Sequence, residues 1–78
     1  MTRFYFDIRA NGKLDADPDG LELKGLEFAK SEALKVLCDL AREALPAVPT
    51  QELSIDVRNG DGNLVLRTML VFAVKQYA

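Results

Sequence analysis

The chain has 78 residues, of which 49% are hydrophobic, and its ten basic and twelve acidic side chains give a formal net charge of −2. A chain of this length is expected to form one domain, over residues 1–78. Such a domain buries only about 60% of its unfolded surface, so a metal, disulfides or a second subunit would help to stabilise it. The slightly acidic balance disfavours a protein that binds nucleic acid through positive charge.

Two residue counts exclude some chemistry and suggest a compartment. Cys38 is the only cysteine, and the chain has no histidine. A lone thiol forms no disulfide within the chain and is typical of a reducing compartment, so we expect a cytoplasmic protein. Without histidine, the commonest general base and the Ser-His and Cys-His pairs are missing. The sequence therefore predicts a non-enzymatic protein without a cofactor.

No segment has the pattern of a signal peptide or a membrane span. Charged side chains from Arg3 to Lys13 interrupt the N-terminal stretch, so it lacks an apolar signal-peptide core. The longest apolar run, MLVFAV, is far shorter than the roughly 20 residues that a membrane helix needs. We therefore expect no membrane partner.

The N-terminal part predicts a hairpin. The segment RFYFDIR alternates apolar and polar side chains, which is the period of a strand with one buried face. Asn11-Gly12 is typical of a tight turn, so the chain should double back through Lys13 and Leu14. The later segment LEL predicts a short edge strand.

The loop DADPDG has two interpretations. Asp15, Asp17, Asp19 and Gly20 match the first ligand positions and the glycine of an EF-hand loop, but Leu26 stands where the closing glutamate belongs. Pro-Asp-Gly is also turn chemistry, with a left-handed glycine and aspartates that bond their own backbone. The pattern favours a turn and keeps Asp15, Asp17 and Asp19 as candidate cation ligands.

A helical period runs from Leu26 to about Leu45. Gly25 is an acceptable N-cap, and the proline after Leu45 stops the helix because it cannot continue the hydrogen-bond ladder. The apolar residues cover more than half of the circumference, whereas a helix on one sheet needs roughly 100–140°. Leu34, Cys38 and Leu45 form part of this surplus, which another part of the chain or another molecule should cover.

The C-terminal part predicts a second hairpin. Glu52–Asn59 alternates strictly, and NGDGN is a hairpin connection rich in residues that accept positive φ. The returning strand, from Leu64 to about Val74, is apolar on both sides apart from Arg67 and Thr68. That pattern is typical of a strand that is central in its sheet or covered on both faces.

The polar face of the first strand also has two interpretations. Interleaved Arg3, Tyr5 and Arg9 resemble the base-stacking face of some RNA-binding sheets. However, Asp7 lies on the same face, and the Glu52 strand adds further carboxylates there. Cross-strand ion pairs explain this arrangement more simply.

Several motifs together resemble a known family. They are the FYFDIR strand, a D-x-x-G-x-E-L pattern, an A-x-x-E-A helix and the hairpin VRNGDGNLVL, with the spaced residues being Asp17, Gly20, Glu22, Leu23, Ala29, Glu32 and Ala33. Over nearly its whole length the chain is similar to short uncharacterised proteins of rhizobia and related alphaproteobacteria, known only as a domain of unknown function. The resemblance implies a small cytoplasmic bacterial domain and no particular activity.

The predicted fold is α+β, with one helix packed on an antiparallel sheet of three main strands and a short fourth, in the order β-β-α-β-β. The order also resembles that of compact antitoxin domains, which is an analogy of architecture only. The predicted core consists of Phe4, Phe6, Ile8, Leu26, Ala33, Leu37, Leu40, Leu53, Ile55, Val57, Leu66 and Phe72.

The surplus of apolar surface predicts a protein-interaction module that forms a homodimer or binds another protein. The predicted interface residues are Leu34, Cys38, Leu45, Val65, Met69 and Val71. Alternatively, the acidic loop and the C-terminal KQYA cover this surface within one chain. The rival functions are an antitoxin-like or nucleic-acid-associated regulator and a cation-binding module.

Overall fold

The computed structural model describes residues 1–10, 12–44 and 50–78. The elements are β1 (Thr2–Ala10), β2 (Lys13–Asp15), β3 (Leu21–Leu23), α1 (Leu26–Ala44), β4 (Thr50–Arg58) and β5 (Leu64–Ala73). One helix packs on a five-stranded antiparallel sheet. The predicted α+β class is confirmed, although two short strands replace the single one expected.

The sheet has the order β2-β1-β4-β5, and β3 also pairs with β1. Strand β2 pairs with residues 8–10 of β1, and β3 pairs with residues 2–4. The two short strands therefore form one interrupted edge. The long hairpin of β4 and β5 makes the rest of the sheet, with β5 at the opposite edge.

The core lies between α1 and the inner face of the sheet. Its buried members are Phe4, Ala29, Ala33, Leu37, Ala41, Leu53, Ile55 and Val57, and Phe6, Ile8, Leu40, Leu66 and Phe72 pack against them. Alanines on the buried helix stripe allow the helix to lie close to the sheet. Among the described residues, no helix is long and apolar enough to cross a bilayer.

Leu26 does not belong to the core, so that prediction was wrong. Its side chain is 47% exposed. Helical side chains lean toward the N-terminus of their helix, and Leu26 is the first residue of α1, so it projects beyond the packed turns. Gly25 caps the helix as expected, because its carbonyl accepts the N–H groups of Phe28 and Ala29 at 3.1 and 3.2 Å.

Strand β5 lies at an edge and is covered on one face only, so the prediction of a central or doubly covered strand was wrong for the single chain. Met69 and Val71 on its outer face are 53% and 60% exposed. The C-terminal tail does not cover them, since Val74 and Tyr77 are themselves exposed. Alternation in a sequence shows which faces are apolar, but it does not show which neighbours are present.

Candidate interaction surface

The β2–β3 edge is interrupted by an acidic loop, residues 16–20. Asp17 turns its carboxylate toward the sheet, where Oδ2 accepts the N–H of Phe6 at 3.1 Å. Its Oδ1 accepts the N–H groups of Asp19 and Gly20, both at 3.1 Å. Asp17 therefore takes the place that a neighbouring strand would occupy beside Phe6.

Gly20 allows this loop to return to the sheet. Its φ is +74°, and a Cβ there would lie 2.9 Å from Cγ of Arg3 and 3.0 Å from the carbonyl oxygen of Phe4. Both the left-handed conformation and the close approach require glycine. The left-handed glycine predicted for this loop is thus observed.

Asp7 lies beside the loop in a part-buried ion pair. Its side chain faces the outer side of the sheet, yet the residue is only 8% exposed. Arg58 donates to both carboxylate oxygens, at 2.6 and 3.0 Å, and the N–H of Asp17 donates to Oδ1 at 2.9 Å. The Arg58 guanidinium also lies 5.0 Å from the centre of the Tyr5 ring. The hydrogen bonds that Arg58 donates lower the pKa of Asp7, although burial of the carboxylate acts in the opposite direction.

A second ion pair joins β4 to β5. Arg67 donates to both oxygens of Asp56, at 2.6 and 3.0 Å. This donation lowers the pKa of Asp56 and raises that of Arg67. Cross-strand ion pairs do form on the outer face, but they join Asp7 to Arg58 and Asp56 to Arg67, and not Arg9 to the carboxylates of the Glu52 strand. The second pair neutralises the only charged side chain of β5.

The three candidate cation ligands do not share one role. Burial raises the pKa of Asp17, but donation by the N–H groups of Gly20, Phe6 and Asp19 outweighs it, and the pKa lies below its ordinary value. Both of its oxygens are therefore occupied, while Asp15 and Asp19 are exposed. Among the described residues, no three or more His, Cys, Asp or Glu side chains are grouped to hold a metal ion.

The outer edge of β5 is free of any strand partner within the described residues. The N–H of Phe6 points to the acidic loop, so the odd-numbered backbone groups of β1 point to β4. These β1 residues pair with even-numbered residues of β4, so the odd-numbered backbone groups of β4 point to β5. They lie opposite even-numbered residues of β5, whose backbone groups therefore bond back to β4. The N–H and C=O groups of Arg67, Met69 and Val71 consequently point away from the sheet.

One flank of α1 faces the same edge. Val36 lines a cleft beside β1 and β2. Two residues along a helix correspond to a rotation of about 200°, so Leu34 and Cys38 lie on the flank away from this cleft. The helix packs on β4 and β5 as well as reaching β3, so this flank is the one toward β5.

The predicted interface residues thus border one edge from two sides. Leu34 and Cys38 lie on the helix side, and Val65, Met69 and Val71 on the outer side. All five are exposed, whereas Leu45 lies outside the described residues. We call Leu34, Cys38, Val65, Met69 and Val71, together with the free backbone of β5, the β5 edge surface.

Comparison with known proteins places the chain in a family. The family model described as Domain of unknown function (DUF6894) matches residues 3–71. The chain belongs to the DUF6894 family. No curated protein and no solved structure matches it.

A cleft in the domain is separate from the β5 edge surface. It is a cleft of about 380 Å³ between α1 and the interrupted edge, lined by Phe6, Ile8, Asp15, Ala16, Asp17, Leu21, Glu32 and Val36. Three carboxylates, Asp15, Asp17 and Glu32, line it among apolar side chains, and both oxygens of Asp17 already accept backbone N–H groups.

Sequence reasoning missed the connection between Asp7, Asp17 and Arg58. The spacing of Asp17 and Gly20 contained a signal, since an aspartate two or three residues before a turn glycine often bonds the intervening N–H groups. The pairing of Asp7 with Arg58 joins residues 51 positions apart. Nothing in either local pattern identifies that partner.

Proposed function

We propose that this DUF6894 domain is a non-enzymatic protein-interaction module that forms a homodimer through the β5 edge surface. The observation that carries the proposal is a ten-residue edge strand, irregular only at Val65 near its start, with exposed apolar side chains and a single, already paired charge. Long apolar edge strands are natural templates for pairing with another chain.

The contrast between the two edges supports this proposal. The β2–β3 edge consists of two three-residue strands separated by a loop that contains two carboxylates, Asp17 and Asp19. Short strands, charges and irregular backbone are the usual means by which proteins prevent edge pairing. Strand β5 is ten residues long, Asp56 neutralises its one charge, and its one irregularity lies at Val65, near its start.

The β5-facing flank of α1 adds apolar area above the edge. Leu34 is 45% exposed there and Cys38 is exposed beside it. A second copy paired along β5 would bring its own helix to this flank. Backbone pairing and side-chain burial would then act in one interface, as stable dimers require.

Light scattering after size exclusion at micromolar concentration tests the proposal. We expect the wild-type chain to elute at about twice the monomer mass. V71P removes an N–H that points away from the sheet toward the partner strand, and L34K places a lysine between the two helices, so each should weaken association by at least about tenfold. F28K is the matched control for L34K, because Phe28 is a 54% exposed residue of the same helix outside the β5 edge surface. A monomeric wild-type chain, or equal effects of L34K and F28K, would refute the proposal.

A regulator of the antitoxin or nucleic-acid-associated kind has less support. The outer face presents Tyr5 among arginines, but Arg58 and Arg67 are paired with carboxylates. Filter retention of labelled RNA over a salt series tests this alternative. Tight retention that falls steeply with added salt would favour it over the interaction module.

We also propose that the domain works in a bacterial cytoplasm. Its lone thiol, Cys38, supports a reducing compartment, and the resemblance to alphaproteobacterial proteins supports a bacterial source. Immunoblotting of fractionated cells tests the location. Recovery in the periplasmic fraction would contradict it.

A further inference from the structure

The geometry of β5 restricts how two copies can pair, provided that the proposed homodimer forms through this edge. Antiparallel pairing is the more stable arrangement per residue. A twofold axis that relates two antiparallel strands of one sheet is perpendicular to the sheet, so both helices lie on the same face. Two residues that lie opposite one another must then have their side chains on the same face. Because side chains alternate along a strand, the two residue numbers are both odd or both even, and their sum is even. The axis therefore passes between two copies of one residue.

Overlap leaves few choices for that residue. Strand β5 spans Leu64–Ala73, so its midpoint lies between residues 68 and 69. Centring the pair on Arg67 would oppose two like charges, which destabilises a sheet. Centring it on Met69 would place the Thr68 hydroxyl opposite the partner's Leu70, a polar group against an apolar one.

Centring the pair on Thr68 avoids both conflicts. Thr68 then opposes the partner's Thr68, and Leu66 opposes the partner's Leu70. On the outer face, Arg67 keeps its own Asp56 and lies beside the partner's Met69. Threonine pairs and apolar pairs directly opposite one another each contribute roughly 0.2–1 kcal/mol relative to alanine pairs.

The helices fit the same arrangement. Strands in a sheet are about 4.8 Å apart, so a helix lying over β4 and β5 is about 5 Å from an axis at the outer edge of β5. Two such helices would be about 10 Å apart, which is close to the 8–10 Å of packed helices. The exposed flanks with Leu34 and Cys38 would meet there.

We infer that two copies of the chain join their β5 strands antiparallel, with the twofold axis at Thr68, into one continuous sheet that carries both helices on one face. Because even-numbered backbone groups of β5 bond to β4, the two Thr68 residues form a non-hydrogen-bonded pair. Their Cα atoms lie about 4.5 Å apart, within the range of a disulfide. The two Met69 Cα atoms are offset along the strands and lie about 8 Å apart, beyond that range.

Cysteine cross-linking tests the register. T68C and M69C are prepared with C38S, so that each chain has one thiol, and are oxidised in a glutathione buffer. We expect T68C to form a covalent dimer and M69C to remain largely uncross-linked. Adding V71P should abolish cross-linking of T68C, because proline removes an N–H that points to the partner strand; this shows that the disulfide reports the dimer and not random collision.

Amide exchange in the wild-type chain provides a readout that needs no variant in the strand. The N–H groups of Arg67, Met69 and Val71 should exchange slowly in the dimer and at least about tenfold faster in the L34K variant, because these groups point to the partner strand.

The outcomes separate the register from the proposed function. Cross-linking of M69C and not of T68C would overturn the Thr68 axis, while the β5 dimer would stand. A wild-type dimer with fast exchange at all three amides would overturn edge pairing altogether. A wild-type monomer would overturn the proposed function and this inference together.

Discussion

Replacing Asp17 by alanine should destabilise the domain more than any other change in the acidic loop. The carboxylate accepts three backbone N–H groups, and those of Phe6 and Gly20 are part-buried. Each part-buried donor left without a partner should lose about 1–1.5 kcal/mol, so D17A is expected to lower the free energy of unfolding by about 2–3 kcal/mol. A domain of this size has about 4–12 kcal/mol in total.

The intermediate variant D17N sharpens this prediction. An amide keeps one oxygen, which suits the N–H groups of Asp19 and Gly20, and presents a donor to the N–H of Phe6. We therefore expect D17N to lose about half as much stability as D17A, or about 1–1.5 kcal/mol. An equal loss in both variants would show that charge, and not backbone capping, is the main contribution.

Urea and thermal unfolding followed by circular dichroism measure the effect, with every sample at one protein concentration because self-association would shift the midpoint. A loss of 2–3 kcal/mol corresponds to a fall in Tm of roughly 10–20 °C for a domain of this length. D19A is the matched control, since Asp19 lies exposed in the same loop and should change stability by less than about 0.5 kcal/mol. If D17A and D19A unfold together, Asp17 does not hold the loop against the sheet.

Three further results are expected. The pKa values of Asp7, Asp17 and Asp56 are lowered in the folded state. The stability that these carboxylates supply is therefore complete above about pH 5 and is lost as the pH falls below about 4, through their folded pKa values. Urea midpoints that stay constant over this range would contradict this expectation. G20A should destabilise by at least about 1 kcal/mol because its φ is +74° and its Cβ would contact Arg3 and Phe4, whereas G60A, with open space around it, should change unfolding midpoints much less. Millimolar calcium should leave the Tm unchanged, since both Asp17 oxygens are occupied; a clear rise would favour the cation-binding alternative.

Much of the fold could be predicted because each element carries its period in neighbouring residues. The alternation in RFYFDIR and ELSIDVR gave both long inner strands, and the stripe containing Ala33 and Leu37 gave the helix and its buried face. The turn glycines Gly12 and Gly20 also have the positive φ that their contexts indicated. These signals act within a few residues, where local sterics and burial are decisive.

The features that depend on distant partners could not be predicted in this way. Asp7 has the alternating position of a solvated residue, and only the returning loop and Arg58 make it buried and paired. Similarly, nothing within DADPDG shows that Asp17 will cap Phe6. A carboxylate's role depends on which donors the fold brings to it, and those donors are set by topology.

Strand β5 connects the wrong prediction to the proposed function. Its sequence has the apolar pattern of a strand that is central in its sheet or covered on both faces, yet the single chain places a strand on one edge only. If the second strand is the β5 of another copy, each β5 becomes central in the joined sheet, while its outer face stays open because both helices lie on the other face. If the chain were monomeric, β5 would be a long apolar edge strand that is not protected against aggregation, although the opposite edge of the same sheet is protected. Pairing with a second copy would therefore give β5 the central position that its sequence predicts.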